Sequence, residues 1–186
     1  MYNPQHVGHS ASMTDPAPRL LHALARRGWT VRRSAVPRPL LPEAVASRYS
    51  DLPPSLTAFL AGLDLCRSPD DTAWFLTADD YARVEGPGFR WNELELMALE
   101  ACEDDADAQR EIAAFWDRHF PFLLAVHSDY DYLAVRIADG AIVHGFAPEW
   151  EDPSPIALSF SDFALDFARA ASGNAPFPLS IFLGPR

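Results

Sequence analysis

The sequence predicts an α+β domain in which N-terminal helices pack on an antiparallel β-meander and a C-terminal helix closes the fold. Three observations carry the prediction. Leu56, Phe59, Leu60 and Leu63 fall at i, i+3, i+4 and i+7, one face of an amphipathic helix. Asp139-Gly140, the strongest short hairpin signal in the chain, joins an alternating run at 132–138 to an apolar run at 141–146. Phe160, Phe163, Ala164 and Phe167 then repeat at helical spacing behind Ser159 and Asp162, a start that resembles a capping box. Helices, a meander and a final helix, in that order, form an α+β pattern.

The length of 186 residues suits one domain, at roughly 150 residues each. With 48% hydrophobic and 22% charged residues, the composition is that of a folded chain rather than a disordered one. Residues 1–13 read as a polar, flexible leader, within which Met13 is an alternative start; residues 14–186 read as the single domain. The leader lacks the basic start and apolar middle of a secretory signal, and no apolar run is long enough to span a bilayer. The expectation is a cytoplasmic protein with no membrane partner. Cys66 and Cys102 are too few for a disulfide scaffold and too far apart for a metal knuckle.

Each element has its own local signal. Asp15-Pro16 opens the first helix, Leu20, Leu21 and Leu24 give it an apolar stripe, and Arg26-Arg27 with Gly28 end it. Residues 29–36 fit a short strand, and Pro37, Pro39 and Pro42 an extended connection. A short helix at 43–49 follows. Leu52-Pro53-Pro54 separates it from the amphipathic helix beginning at Ser55. Residues 66–71 read as a loop, Trp74-Phe75-Leu76 as a buried strand or loop core, and Thr77-Ala78-Asp79-Asp80 as a capped helix start. Residues 85–88 form a turn. Helices at 92–102 and 108–119 bracket the acidic run 103–107. Residues 122–126 suit a central strand, 128–130 a turn, and 148–155 a loop, while Leu133, Val135 and Ile137 share one face of their strand.

Charge is distributed unevenly. The net charge is −11, and all 15 basic residues are Arg. Residues 1–69 carry a net +4, residues 70–107 a net −10 and the remainder −5. Such a field repels phosphate backbones and attracts a basic protein, so nucleic acid is disfavoured as a partner. The acids Glu100, Glu103, Asp104, Asp105 and Asp107 concentrate the repulsion, and a basic partner would relieve it. An ordinary solvated charge run is the competing account. Glu149, Trp150, Glu151 and Asp152 form a second acidic segment. Its Trp reads either as an exposed hot spot or as a ring folded back over the hairpin.

Catalytic signals are sparse. His127-Ser128-Asp129 lacks the nucleophile elbow that a serine hydrolase needs, and Ser-Asp is ordinary turn chemistry. Asp129 and Asp131 share a face of an extended chain and could hold a hard cation, but no third ligand follows at loop spacing. His144, on one strand face with Ile142 and Phe146, reads as a satisfied core or rim histidine. His6 and His9 sit in the leader, and Gly86-Pro87-Gly88 precedes no Lys, so no phosphate loop is present. No catalytic residue, metal or cofactor is assigned.

The ordered motifs nonetheless resemble a family. Leu52-Pro53-Pro54-Ser55-Leu56 with Phe59-Leu60 resembles the "LP-x-x-(Y/L)-x-x-F-L" helix of the SUKH superfamily, the Smi/Knr group. Trp74-Phe75-Leu76 falls where that family has its next segment. The hairpin with Gly140, the acidic loop and Ile156-Ala157-Leu158-Ser159-Phe160-Ser161-Asp162-Phe163 resemble its ending, so the likeness spans about 43–170. This chain reads Ala61-Gly62-Leu63-Asp64 where the family usually has Asn-Gly or Gly-Gly, and its 92–119 segment is longer. The resemblance implies a SUKH-like α+β fold and a non-enzymatic protein-binding role, in bacteria often as a cytoplasmic immunity protein. The expected partner is a basic toxin domain, such as a nuclease, whose phosphate-binding cleft the acidic face would mimic. A regulatory scaffold for an endogenous partner is the alternative, and a small metal-dependent enzyme using His127, Asp129 and Asp131 is a third.

Overall fold

A computed structural model describes residues 15–36, 38–83, 86, 88–127 and 129–184; the 1–13 leader and Ser128 lie outside the described residues. The architecture is α+β. Seven antiparallel strands form one sheet whose spatial order is their sequence order, a meander from edge to edge. The elements run α1 (Ala17–Arg26), β1 (Thr30–Arg33), α2 (Glu43–Arg48), α3 (Pro54–Ala61), β2 (Leu63–Arg67), β3 (Ala73–Phe75), α4 (Ala78–Ala82), α5 (Glu93–Ala101) and α6 (Ala106–Trp116). They continue through β4 (His119–Val126), β5 (Tyr130–Arg136), β6 (Ile142–Phe146), β7 (Ser154–Ala157), α7 (Phe160–Ser172) and α8 (Leu179–Leu183).

Two aromatic clusters hold the helices to the sheet. Phe160, Phe163 and Phe167 on one stripe of α7 meet Phe75 and Phe122 of the strands, while Trp29 and Phe59 seal α1 and α3 against them. In the second cluster, Tyr81 of α4 stacks on Phe120 at 5.0 Å and Trp116 of α6 lies 5.0 Å from Tyr132. The Tyr49 hydroxyl donates to the Trp116 carbonyl at 2.8 Å, tying the end of α2 to the end of α6. Rings of this size dominate the buried apolar area, so both clusters are principal sources of stability.

Several boundaries differ from the sequence reading, each for a local reason. Gly62 ends α3, so Leu63 starts β2 rather than completing the helical face. Residues 66–71 are therefore a loop only beyond Arg67. The helix assigned to 108–119 ends at Trp116, and His119 instead pairs with Arg136 across β4–β5. The 148–155 loop gives way at Ser154 to β7, an edge strand that tolerates Pro155 because one side of its ladder is unpaired. The predicted hairpin turn is present, with Gly140 at φ +74°. Ser159 caps α7 by accepting from the Asp162 amide at 3.1 Å.

Candidate functional site

Helices α5 and α6 form an antiparallel hairpin whose two ends are chemically unlike. At the open end, Arg48 donates two parallel hydrogen bonds to Glu95, both 2.7 Å, and a third to Asp117 at 2.7 Å. Planar guanidinium-to-carboxylate pairing of this kind is the strongest geometry available to an ion pair. Glu95 is buried, and its carboxylate holds the Arg48 guanidinium above its ordinary pKa against the opposing effect of burial. At the closed end, Glu100, Glu103 and Asp104 are exposed, and none has an arginine within ion-pair distance among the described residues. Asp107 pairs with Arg110 on the same helix. Asp105 has a role inside the fold: its carboxylate caps α6 by accepting from the Asp107 and Ala108 amides, both at 3.0 Å.

Beside this closed end lies a groove of about 530 Å³. Met97 and Ala101 of α5, Cys102 at its C-terminal end and Ile112 of α6 line it on the helical side; Asp129, Tyr130, Pro148, Trp150 and Glu151 line the rest. Ala101 and Cys102 thus bring the 100–107 segment, and Trp150 and Glu151 the 149–152 segment, into the lining of one groove, to which the 100–107 run contributes no carboxylate. Glu149 and Asp152, next in sequence to Trp150 and Glu151, are exposed. Glu151 is half-buried, and its Oε1 has no hydrogen-bond partner among the described residues.

Trp150 corrects one reading. Rather than standing out as an exposed hot spot, it is 8% exposed and folded back over the hairpin. Its indole N–H donates to the Tyr130 carbonyl at 3.2 Å, and its own carbonyl accepts from the Tyr132 hydroxyl at 2.6 Å. Gly145, directly opposite Tyr132, makes this possible, because any Cβ there would collide with the phenol ring. Burial raises the Tyr132 pKa, so the hydroxyl stays a donor. Trp150 therefore shapes the groove wall, while the flanking carboxylates supply its charge.

Strand alternation sends Asp131 to the opposite face of the sheet from Tyr132. There His144 Nε2–H donates to Asp131 Oδ1 at 2.7 Å, with both residues buried. His144 stacks on Phe146 at 5.7 Å and meets Phe177 and Phe182 edge-on at 5.8 and 5.9 Å. His127 and Asp129 line the same cleft as Asp131, near α8. His127 Nε2 lies 3.1 Å from the Thr72 hydroxyl and 3.2 Å from the Ile181 carbonyl. Among the described residues, no three His, Cys, Asp or Glu side chains are grouped closely enough to hold a metal ion.

The Asp131–His144 pair, Phe177 and the apolar groove floor were not anticipated as a site. A usable signal existed for the first. Counting back from the Asp139-Gly140 turn pairs Asp131 with Phe146 and Leu133 with His144, which sets Asp131 and His144 on a diagonal of one face. Phe177 and the α8 residues carry no such register. Comparison of the chain with protein-family models, with curated proteins and with solved structures finds no match.

Proposed function

We propose that the chain is a non-enzymatic protein-binding domain, an immunity protein of the SUKH kind that neutralises a bacterial toxin by covering it. One observation carries the reading: two acidic segments about 45 residues apart in sequence both contribute lining residues to a single groove, and Glu100, Glu103 and Asp104 of the helical segment are without arginines among the described residues. An apolar centre inside a charged rim is the anatomy of a protein interface, and the sign of the rim selects a basic partner. The likeness of residues 52–60 and 156–163 to the SUKH motifs supports the same function. Inhibition is by steric and electrostatic occlusion, which requires no cofactor.

The test is protection. A bacterial host expressing the toxin domain encoded beside this chain should survive when the chain is co-expressed. The combined variant Glu103→Gln, Asp104→Asn, Asp107→Asn should protect less well. Death of the host despite abundant folded chain overturns the immunity role. Capture of an endogenous basic protein without protection would instead establish the regulatory scaffold.

A further inference from the structure

The cleft on the α8 side of the sheet holds a second site. We propose that it is a receptor for a guanidinium group, supplied by an arginine of the docked polypeptide; this rests on the protein-binding reading above and names the anchor by which the partner is held. The cleft encloses about 470 Å³ and is lined by Asp129, Asp131, His127, Phe146, Phe177 and Ile181. Asp131 is only 7% exposed, and its Oδ1 accepts the His144 hydrogen bond while Oδ2 has no hydrogen-bond partner among the described residues. A carboxylate oxygen with spare acceptor capacity, on a largely buried side chain that lines a cavity, is placed to accept from a donor entering that cavity. Asp129 supplies a second carboxylate at the mouth.

The walls choose among donors. Phe146 and Phe177 are 46% and 74% exposed, unusual for side chains that gain so much from burial. Both flank the His144 ring that fixes Asp131. Two aromatic surfaces beside two carboxylates match a planar cation, which stacks by its faces and donates by its edge. A guanidinium does both; an ammonium lacks the plane. The polypeptide source follows from continuity: Asp129 lines this cleft and the acidic groove alike, so one chain can cross the rim of the first and end in the second.

The experiment is a two-dimensional NMR titration of the whole chain with N-acetyl-L-arginine methylamide, with the citrulline analogue as the neutral isostere and spermidine as a free amine. The arginine probe should give saturable shifts confined to the cleft, at His127, Asp129, β5, β6, Phe177 and α8. Asp131→Asn, which keeps an acceptor for His144, and the exposed Phe177→Ala should each weaken it about tenfold or more. Equal shifts from the citrulline analogue, absence of saturation, or native-like titration by both folded variants would overturn the site. Tighter binding of spermidine would overturn the arginine assignment. Association with the toxin domain, followed in parallel, separates the two claims. A silent cleft with salt-dependent association sinks the anchor alone, and an active cleft with no association sinks the polypeptide source.

Discussion

The two ends of the α5–α6 hairpin contain the same residue type put to opposite uses. At one end Glu95 and Asp117 are consumed by Arg48, which arrives from α2 and ties three segments together. At the other, Glu100, Glu103 and Asp104 meet no arginine, and their repulsion is left in the free protein. A carboxylate stabilises a fold where the fold brings it a cation or, as at Asp105, a helix N-terminus to cap. Where it does neither, the charge projects into solvent as a field of the sign that, on the proposed function, would steer a basic partner.

Removing Arg48 breaks the comparison most forcefully. Arg48→Ala leaves Glu95 buried without its cation and should cost about 3 kcal/mol, read as a lower denaturant midpoint. An effect below about 1 kcal/mol would mean that the open end is no better organised than the closed one. Trp150→Ala should cost nearly as much, about 3 kcal/mol, because the ring is core rather than surface. An exposed hot spot would instead lose partner affinity with its stability intact.

His119 sharpens the comparison with pH. It stacks on Phe115 at 4.1 Å, its Nδ1–H donates to the Phe115 carbonyl at 2.9 Å, and burial holds its pKa below the ordinary 6.5. The unfolded chain therefore takes up this proton more readily than the folded one. The stability it contributes is complete above the ordinary value and is lost as pH falls through the depressed one. An NMR titration of His119 should place its midpoint below 6.5, and a midpoint above it would contradict the assignment. The smallest effect on stability belongs to the closed end. Glu103→Gln with Asp104→Asn should change the midpoint by less than about 0.5 kcal/mol, toward greater stability.

The sequence was most legible where the signal is local. Asp139-Gly140 fixes the central hairpin, and Phe160, Phe163 and Phe167 fix the face of α7. It was least legible where a partner arrives from far along the chain. Nothing near Glu95 announces Arg48, 47 residues away, and nothing near Trp150 announces that Gly145 clears a path for Tyr132. β2, β7 and α8 escaped because they are four or five residues long, too short to display a period. The acidic segments were legible as charge, but that Ala101 and Cys102 of one and Trp150 and Glu151 of the other line one groove required the fold.

The most direct measurement is the rate of association with the proposed partner, a basic toxin domain, as a function of salt, from about 50 to about 500 mM. For the native chain the rate should fall steeply with salt. For Glu103→Gln, Asp104→Asn, Asp107→Asn it should start lower and stay nearly flat. Identical rates and slopes for the two proteins would contradict docking through the acidic rim.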